Sequence, residues 1–214
     1  MSRDALQIGE ISQPRFEFRS FGQNFDAIHF RLGRLSMPVP ETVWERRSDE
    51  IYIVSRSNDV NNTKIRDAKM DIKTWVRTES GLQQWNPLMK GSFPLPAAVL
   101  RDEVFPAFQV GLPDLPDGEC GYHDFLALIR AHPDLAAIRV HKQRFGYLVH
   151  DTICEYAVVL INGARVVSVS TESTDVEALQ RTIADTGMSG VENINYLQAI
   201  KRVIGMSALP LANA

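Results

Sequence analysis

The stretch Ile153–Thr171, ICEYAVVLINGARVVSVST, decides the fold class of this chain. Asn162-Gly163 divides it into two runs rich in β-branched residues. Asn-Gly between such runs marks a two-residue type I′ hairpin, because both central positions need a positive φ. The turn sets the register: Ile161 faces Ala164, Val159 faces Val166 and Glu155 faces Ser170. Glu172 sits one diagonal step beyond on the face of Glu155, with the two Cβ atoms roughly 7 Å apart. Two carboxylates therefore project together from the far end of the hairpin, with Ser168 and Ser170 beside them. Cys154, Tyr156 and Val158 take the opposite, apolar face, where Cys154 reads as a small buried hydrophobe.

On the C-terminal side of the hairpin, Thr174 with Glu177 reads as a capping box. It opens a helix carrying Val176, Leu179 and Ile183 that Gly187 ends. A last helix from about Asn195 to Ile204 buries Leu197, Ile200 and Ile204. On the N-terminal side, Arg15 to Arg19 alternates as a strand, and Gln23 to Leu35 carries Phe25, Ile28 and Leu32 at helical spacing until Pro38 and Pro40. Glu50 to Arg56 is a β-branched, aromatic strand. Thr63 to Asp67 and Met70 to Arg77 are two strands around a turn at Ala68-Lys69. Asp124 to Ala131 is helical, and Ile138 to Tyr147 is a strand. Gly81 to Gly121, rich in Pro and Gly, reads as loops with one short helical piece. Local, hairpin-like connections imply an α+β fold with a mainly antiparallel sheet and helices packed outside. The expected organisation is one domain over 1–214 with a loop-rich insertion at about 81–121.

The 214 residues hold 23 Lys plus Arg against 26 Asp plus Glu, a formal charge of -3, with 44% apolar residues. A polybasic nucleic-acid binder, which needs a charge excess, is excluded. Cys120 and Cys154 make no disulfide framework. The opening MSRDALQIGEISQP lacks an apolar h-region and no apolar run could span a bilayer, so a cytoplasmic location and no membrane partner are expected. Walker, Rossmann, H-E-x-x-H and paired C-x-x-C signatures are absent.

Charge arrangement is more informative than its total. Arg15, Glu17 and Arg19 share one strand face; so do Lys64 and Arg66; Asp71, Lys73 and Arg77; Lys142 and Arg144; Glu155 and Glu172. The opposite faces, including Phe16, Phe18, Ile65, Ile72, Val76, Val158 and Leu160, are apolar and must pack on something. With helices on that side, the charged face meets either bulk water or the inside of a closed or nearly closed barrel, a tunnel wide enough for a ligand. Cations enclosed there require carboxylates or an anionic ligand to balance them.

This ordered series resembles the CYTH superfamily, the triphosphate tunnel metalloenzymes that include class IV adenylate cyclases and thiamine triphosphatases. The resemblance rests on Glu17-x-Arg19, Lys64-x-Arg66, Lys73, Lys142-x-Arg144 and the acidic hairpin ending at Glu172. It runs in order from about Arg15 to Ile204, although each motif is short. It implies an eight-stranded antiparallel tunnel. Phosphates would be gripped by Arg15, Arg19, Lys64, Arg66, Lys73, Lys142 and Arg144. Glu17, Glu155 and Glu172 would be the catalytic carboxylates, holding Mg²⁺ or Mn²⁺ with hard oxygen ligands. The implied activity is metal-dependent hydrolysis of inorganic, nucleoside or thiamine triphosphate. The alternative is a binding module for polyphosphate, a nucleotide or an RNA end, with nucleic acid entering only through a 5′-triphosphate and a homodimer as the candidate assembly. The family opens Glu-x-Glu-x-Lys where this chain reads Arg15-x-Glu17-x-Arg19. That exchange removes one metal ligand and adds a cation, so anion binding should survive it better than hydrolysis.

Other features have plainer readings. Trp75 and Trp85-Asn86-Pro87 suit packing as well as base stacking. His141 and His150 suit surface positions as well as acid–base roles. Asp114, Asp117 and Glu119 lack the spacing of a calcium loop.

Overall fold

The computed structural model describes residues 14–37 and 44–211. Pro38 and Pro40, read above as breakers, and the N-terminal segment lie outside them. Eight strands close into a barrel in the order β1 (Arg15–Gly22), β10 (Ala164–Ser173), β9 (Thr152–Ile161), β8 (Leu135–Val149), β2 (Glu45–Ser55), β3 (Asn61–Arg66), β4 (Lys69–Glu79) and β5 (Leu82–Ser92). A two-stranded ribbon pairs β6 (Leu95–Pro96) with β7 (Glu119–Cys120). The helices are α1 (Asp26–Leu35), α2 (97–108, with one π turn), α3 (Tyr122–Ala131), α4 (Val176–Thr186) and α5 (Tyr196–Val203). The α+β barrel expected from the hairpin and the alternating strands is the fold observed.

β5 corrects the reading of 81–121 as loops: eleven of those residues form the eighth strand. Pro87 and Gly91 obscure it, since both are poor strand formers. The ladder of β5 with β1 covers only Arg15↔Trp85, Phe16↔Gln84 and Glu17↔Gln83, so Pro87 lies beyond it and its missing N–H breaks no bond to β1.

The chain clusters into two compact units. Among the described residues, one comprises 14–37, 44–49, Val76–Trp85 and 139–211. Its β9–β10 hairpin has the register read from Asn-Gly, with Ala164↔Ile161, Val166↔Val159 and Ser170↔Glu155. Asn162 and Gly163 hold φ of 47° and 91°. Phe16 and Phe18 pack with Cys154, Tyr156, Val167 and Val169, and with Phe25, Ile28 and Leu32 at α1 and Leu179 and Ile183 of α4. Because strand side chains alternate, Arg15, Glu17, Arg19, Glu155, Ser168, Ser170 and Glu172 are directed to the opposite, inward face. α4 is capped by Asp175, not Thr174: its carboxylate accepts from the amides of Glu177 and Ala178, a better anchor at the positive helix end than a hydroxyl one residue earlier. Gly187 ends α4 at φ 83°, where a Cβ would meet Arg31 Nη1 at 2.0 Å.

The other unit contains Glu50–Trp75 and Asn86–Ile138. Ile53, Ile65, Met70 and Ile72 pack against Leu100, Val104, Phe105 and Phe108 of α2 and Phe125 and Ile129 of α3. Lys64, Arg66, Asp71 and Lys73 therefore lie on the inward face. The β3–β4 turn is at Asp67-Ala68, with φ of 51° and 52°, one residue earlier than expected. Val76, expected to be packed, is 51% exposed.

Candidate functional site on the inward barrel face

In the first unit, four cations (Arg15, Arg19, Lys142, Arg144) and three carboxylates (Glu17, Glu155, Glu172) share the inward face. Arg19 is the hub. Its Nε donates to Glu17 Oε1 at 2.5 Å, and its Nη1 donates to Glu155 Oε1 at 3.3 Å and Ser168 Oγ at 3.1 Å. The Tyr196 ring covers the guanidinium at 4.8 Å. Burial alone would lower the Arg19 pKa, but Glu17, then Tyr196 and Glu155, reverse this and hold it well above its ordinary value. Arg15 Nη1 donates to Glu172 Oε1 at 2.9 Å, nearer solvent.

β8 supplies the other two cations. Lys142 is 3% exposed, with Nζ 3.8 Å from the centre of the same Tyr196 ring. An ammonium and a guanidinium thus share one aromatic platform, each attracted to its π face. Arg144 Nη2 donates to Ser48 Oγ at 2.9 Å. Tyr196 reaches this position because the preceding segment is tied to β1: Arg19 N donates to Asn193 Oδ1, and Ile194 N donates to Arg19 O. Asn195 Nδ2 donates to Gln83 Oε1, and Asn195 with Gln198 forms the capping box that starts α5.

In the second unit, Lys64 pairs with Asp71 at 3.3 Å, its direct partner across β3–β4. Arg66 pairs at 3.5 Å with Glu50, which is 1% exposed. Lys73 stands opposite Asn62.

Tyr196, Ser48, Gln83, Asn193 and Glu50 were not among the residues singled out from sequence. For Tyr196 a signal existed: an aromatic residue directly after an Asn cap, one position before the residues assigned to the buried face. Arg77, expected beside Asp71 and Lys73, instead lies over the Phe16 ring at 5.5 Å and pairs with Glu79. His141 and His150 bond Asp49 and Asp185 at 3.1 and 2.8 Å. Both cysteines are buried, with their thiols pushed up by burial.

The carboxylates do not fit Mg²⁺ or Mn²⁺ as the resemblance implies. Glu17 and Glu155 are both bound by Arg19, and Glu172 is bound by Arg15. Among the described residues, no group of three or more His, Cys, Asp or Glu is placed to hold a metal ion.

No family model matches the sequence, and no curated protein matches it. Several solved structures align with much of this chain at low identity. A candidate adenylate cyclase from Bacillus halodurans is 12% identical, with a TM-score of 0.48 over 86% of this chain and 97% of that one. A conserved hypothetical protein from Pyrococcus furiosus is 11% identical, with a TM-score of 0.48 over 86% and 98%. A candidate adenylyl cyclase from Hippeastrum with a dominant triphosphatase activity is 10% identical, with a TM-score of 0.44 over 94% and 100%. By its own topology this chain is an eight-stranded closed barrel with a charged inward face, the architecture that the CYTH resemblance implies. No helix among the described residues is long and apolar enough to cross a membrane.

Proposed function

We propose that this protein binds a triphosphate-bearing small molecule or a polyphosphate on the inward face of its barrel, as a binding module. The observation that carries this reading is the placement of buried Lys142 and part-buried Arg19 against the one Tyr196 ring on the inward face. A triphosphate is a linear polyanion. Arg forks and Lys point charges on adjacent strands complement it by charge-assisted hydrogen bonds. Lys142, Arg144 and Arg15 would grip phosphate oxygens, with Arg19 fixing the local field. In the second unit, taken by itself, Lys64, Arg66 and Lys73 are proposed phosphate contacts of that unit alone.

Metal-dependent phosphohydrolysis is the second reading, favoured by one feature: Glu17 and Glu172 are direct cross-strand partners. It requires the ion pairs of both to open. Phosphate release from inorganic and nucleoside triphosphates, with and without Mn²⁺, separates the two. Binding without turnover supports the module. Mn²⁺-dependent turnover lost in Glu172→Ala supports the hydrolase and overturns the module.

A further inference from the structure

The three oxygen atoms around Arg19 come from three adjacent strands: Glu17 from β1, Glu155 from β9 and Ser168 from β10. Two anionic oxygens and one hydroxyl converging on one part-buried positive charge form the kind of hard-oxygen cradle that divalent cations take. Here a protein cation fills it. The guanidinium donates to one oxygen of each carboxylate, while the Tyr196 ring lies over it at 4.8 Å. Arg15 takes Glu172, the partner of Glu17 in the β1–β10 ladder, so the third carboxylate is also matched.

We infer that Arg19, assisted by Arg15, is a built-in substitute for a divalent cation, and that this chain has exchanged a metal site for a guanidinium site. A metal ion entering the cradle would have to evict Arg19 and then sit beside its displaced charge. In low-dielectric surroundings that repulsion outweighs what two already neutralised carboxylates offer. The carboxylates thereby become structural, and the cation they hold cannot be removed by a chelator. The inference concerns metal exclusion and stands independently of triphosphate affinity.

The test is Mn²⁺ binding by calorimetry and thermal shift on the full chain, in wild type, Arg19→Ala, Arg19→Gln and Arg15→Glu. Wild type should show no stoichiometric Mn²⁺ binding and the same Tm in EDTA and Mn²⁺. Arg19→Ala should melt lower in EDTA and recover with Mn²⁺, and adding Glu155→Gln should abolish the recovery. Arg15→Glu leaves Arg19 in the cradle and should gain no Mn²⁺ bound by Glu17 and Glu155. Arg19→Gln, uncharged and of similar reach, should gain it at least about tenfold over wild type and decides the matter if Arg19→Ala does not fold. Stoichiometric Mn²⁺ binding by wild type that Glu17→Gln or Glu155→Gln removes would overturn the inference. So would folded Arg19 variants that bind Mn²⁺ no better than wild type. Triphosphate titration in EDTA is read separately, so a chain that bound no triphosphate would leave this result intact.

Discussion

Glu17 and Glu172 stand directly opposite one another in the β1–β10 ladder, and each carboxylate is held by a different arginine of β1. Like charges at such a pair would repel. Arg19 on one side and Arg15 on the other convert the repulsion into two ion pairs of unequal burial. The side chains of the Arg15–Glu172 pair are 40% and 35% exposed, whereas Arg19 is 13% exposed and surrounded.

That inequality predicts unequal costs. Arg19→Ala should lower unfolding stability by about 1–3 kcal/mol, because Glu17 and Glu155, both part-buried, lose their shared counter-charge. Arg15→Ala should cost about 1 kcal/mol or less, as exposed pairs do. Urea denaturation of both variants checks the ratio, and equal losses would contradict the hub assignment.

The β9–β10 turn predicts a local effect without a functional one. Gly163 at φ 91° lies where a Cβ is strained, so Gly163→Ala should cost about 1–2 kcal/mol. Triphosphate affinity should be unchanged at temperatures where the variant is folded, since the turn is at the opposite end of the hairpin from Glu155 and Glu172.

Tyr196 is predicted to act through its ring. Tyr196→Phe keeps the π face presented to Lys142 and Arg19 and should preserve triphosphate affinity. Tyr196→Leu removes it and should weaken binding severalfold, with a stability loss of about 1–2 kcal/mol from two cation–π contacts. Calorimetry on the pair separates a platform from mere packing.

His29 predicts a pH dependence. Its ring stacks on Tyr156 at 3.7 Å and bonds Tyr147 Oη at 2.6 Å; burial lowers its pKa, and Asp26 opposes this in part. The folded state therefore takes up its proton at a lower pH than the unfolded state. The contribution of His29 is fully present above about pH 6.5 and declines as pH falls from there through the folded pKa. Denaturation midpoints between pH 7 and 5 should fall less steeply in His29→Gln than in wild type; parallel curves would refute the assignment.

Residues with local signals were legible in the sequence, and those defined by distant partners were not. Asn162-Gly163 carried its own backbone requirement, so the β9–β10 register and the joint placement of Glu155 and Glu172 followed from two residues. Alternation placed Arg15, Glu17, Arg19, Lys142 and Arg144 on the inward face. β5 was hidden because Trp85-Asn86-Pro87 and Gly91 mimic a loop, and its pairing with β1 is a long-range event. The choice of Glu17 and Glu155 by Arg19 depends on side-chain geometry among three strands, which periodicity does not encode. Tyr196 reaches the same place through the Asn193 and Ile194 ties to β1, again invisible in local pattern. The Thr174-to-Asp175 shift of the α4 cap shows the limit even of a local motif when two capping residues are adjacent.

Calorimetric titration of inorganic triphosphate into the full chain in EDTA, for wild type and Lys142→Met, decides whether the inward face binds a polyanion. Wild type should bind one-to-one, with an affinity that weakens with added salt. Lys142→Met should bind at least about tenfold more weakly, a difference of roughly 1.4 kcal/mol. No heat of binding in wild type, or an affinity untouched by Lys142→Met, would contradict polyanion binding on that face.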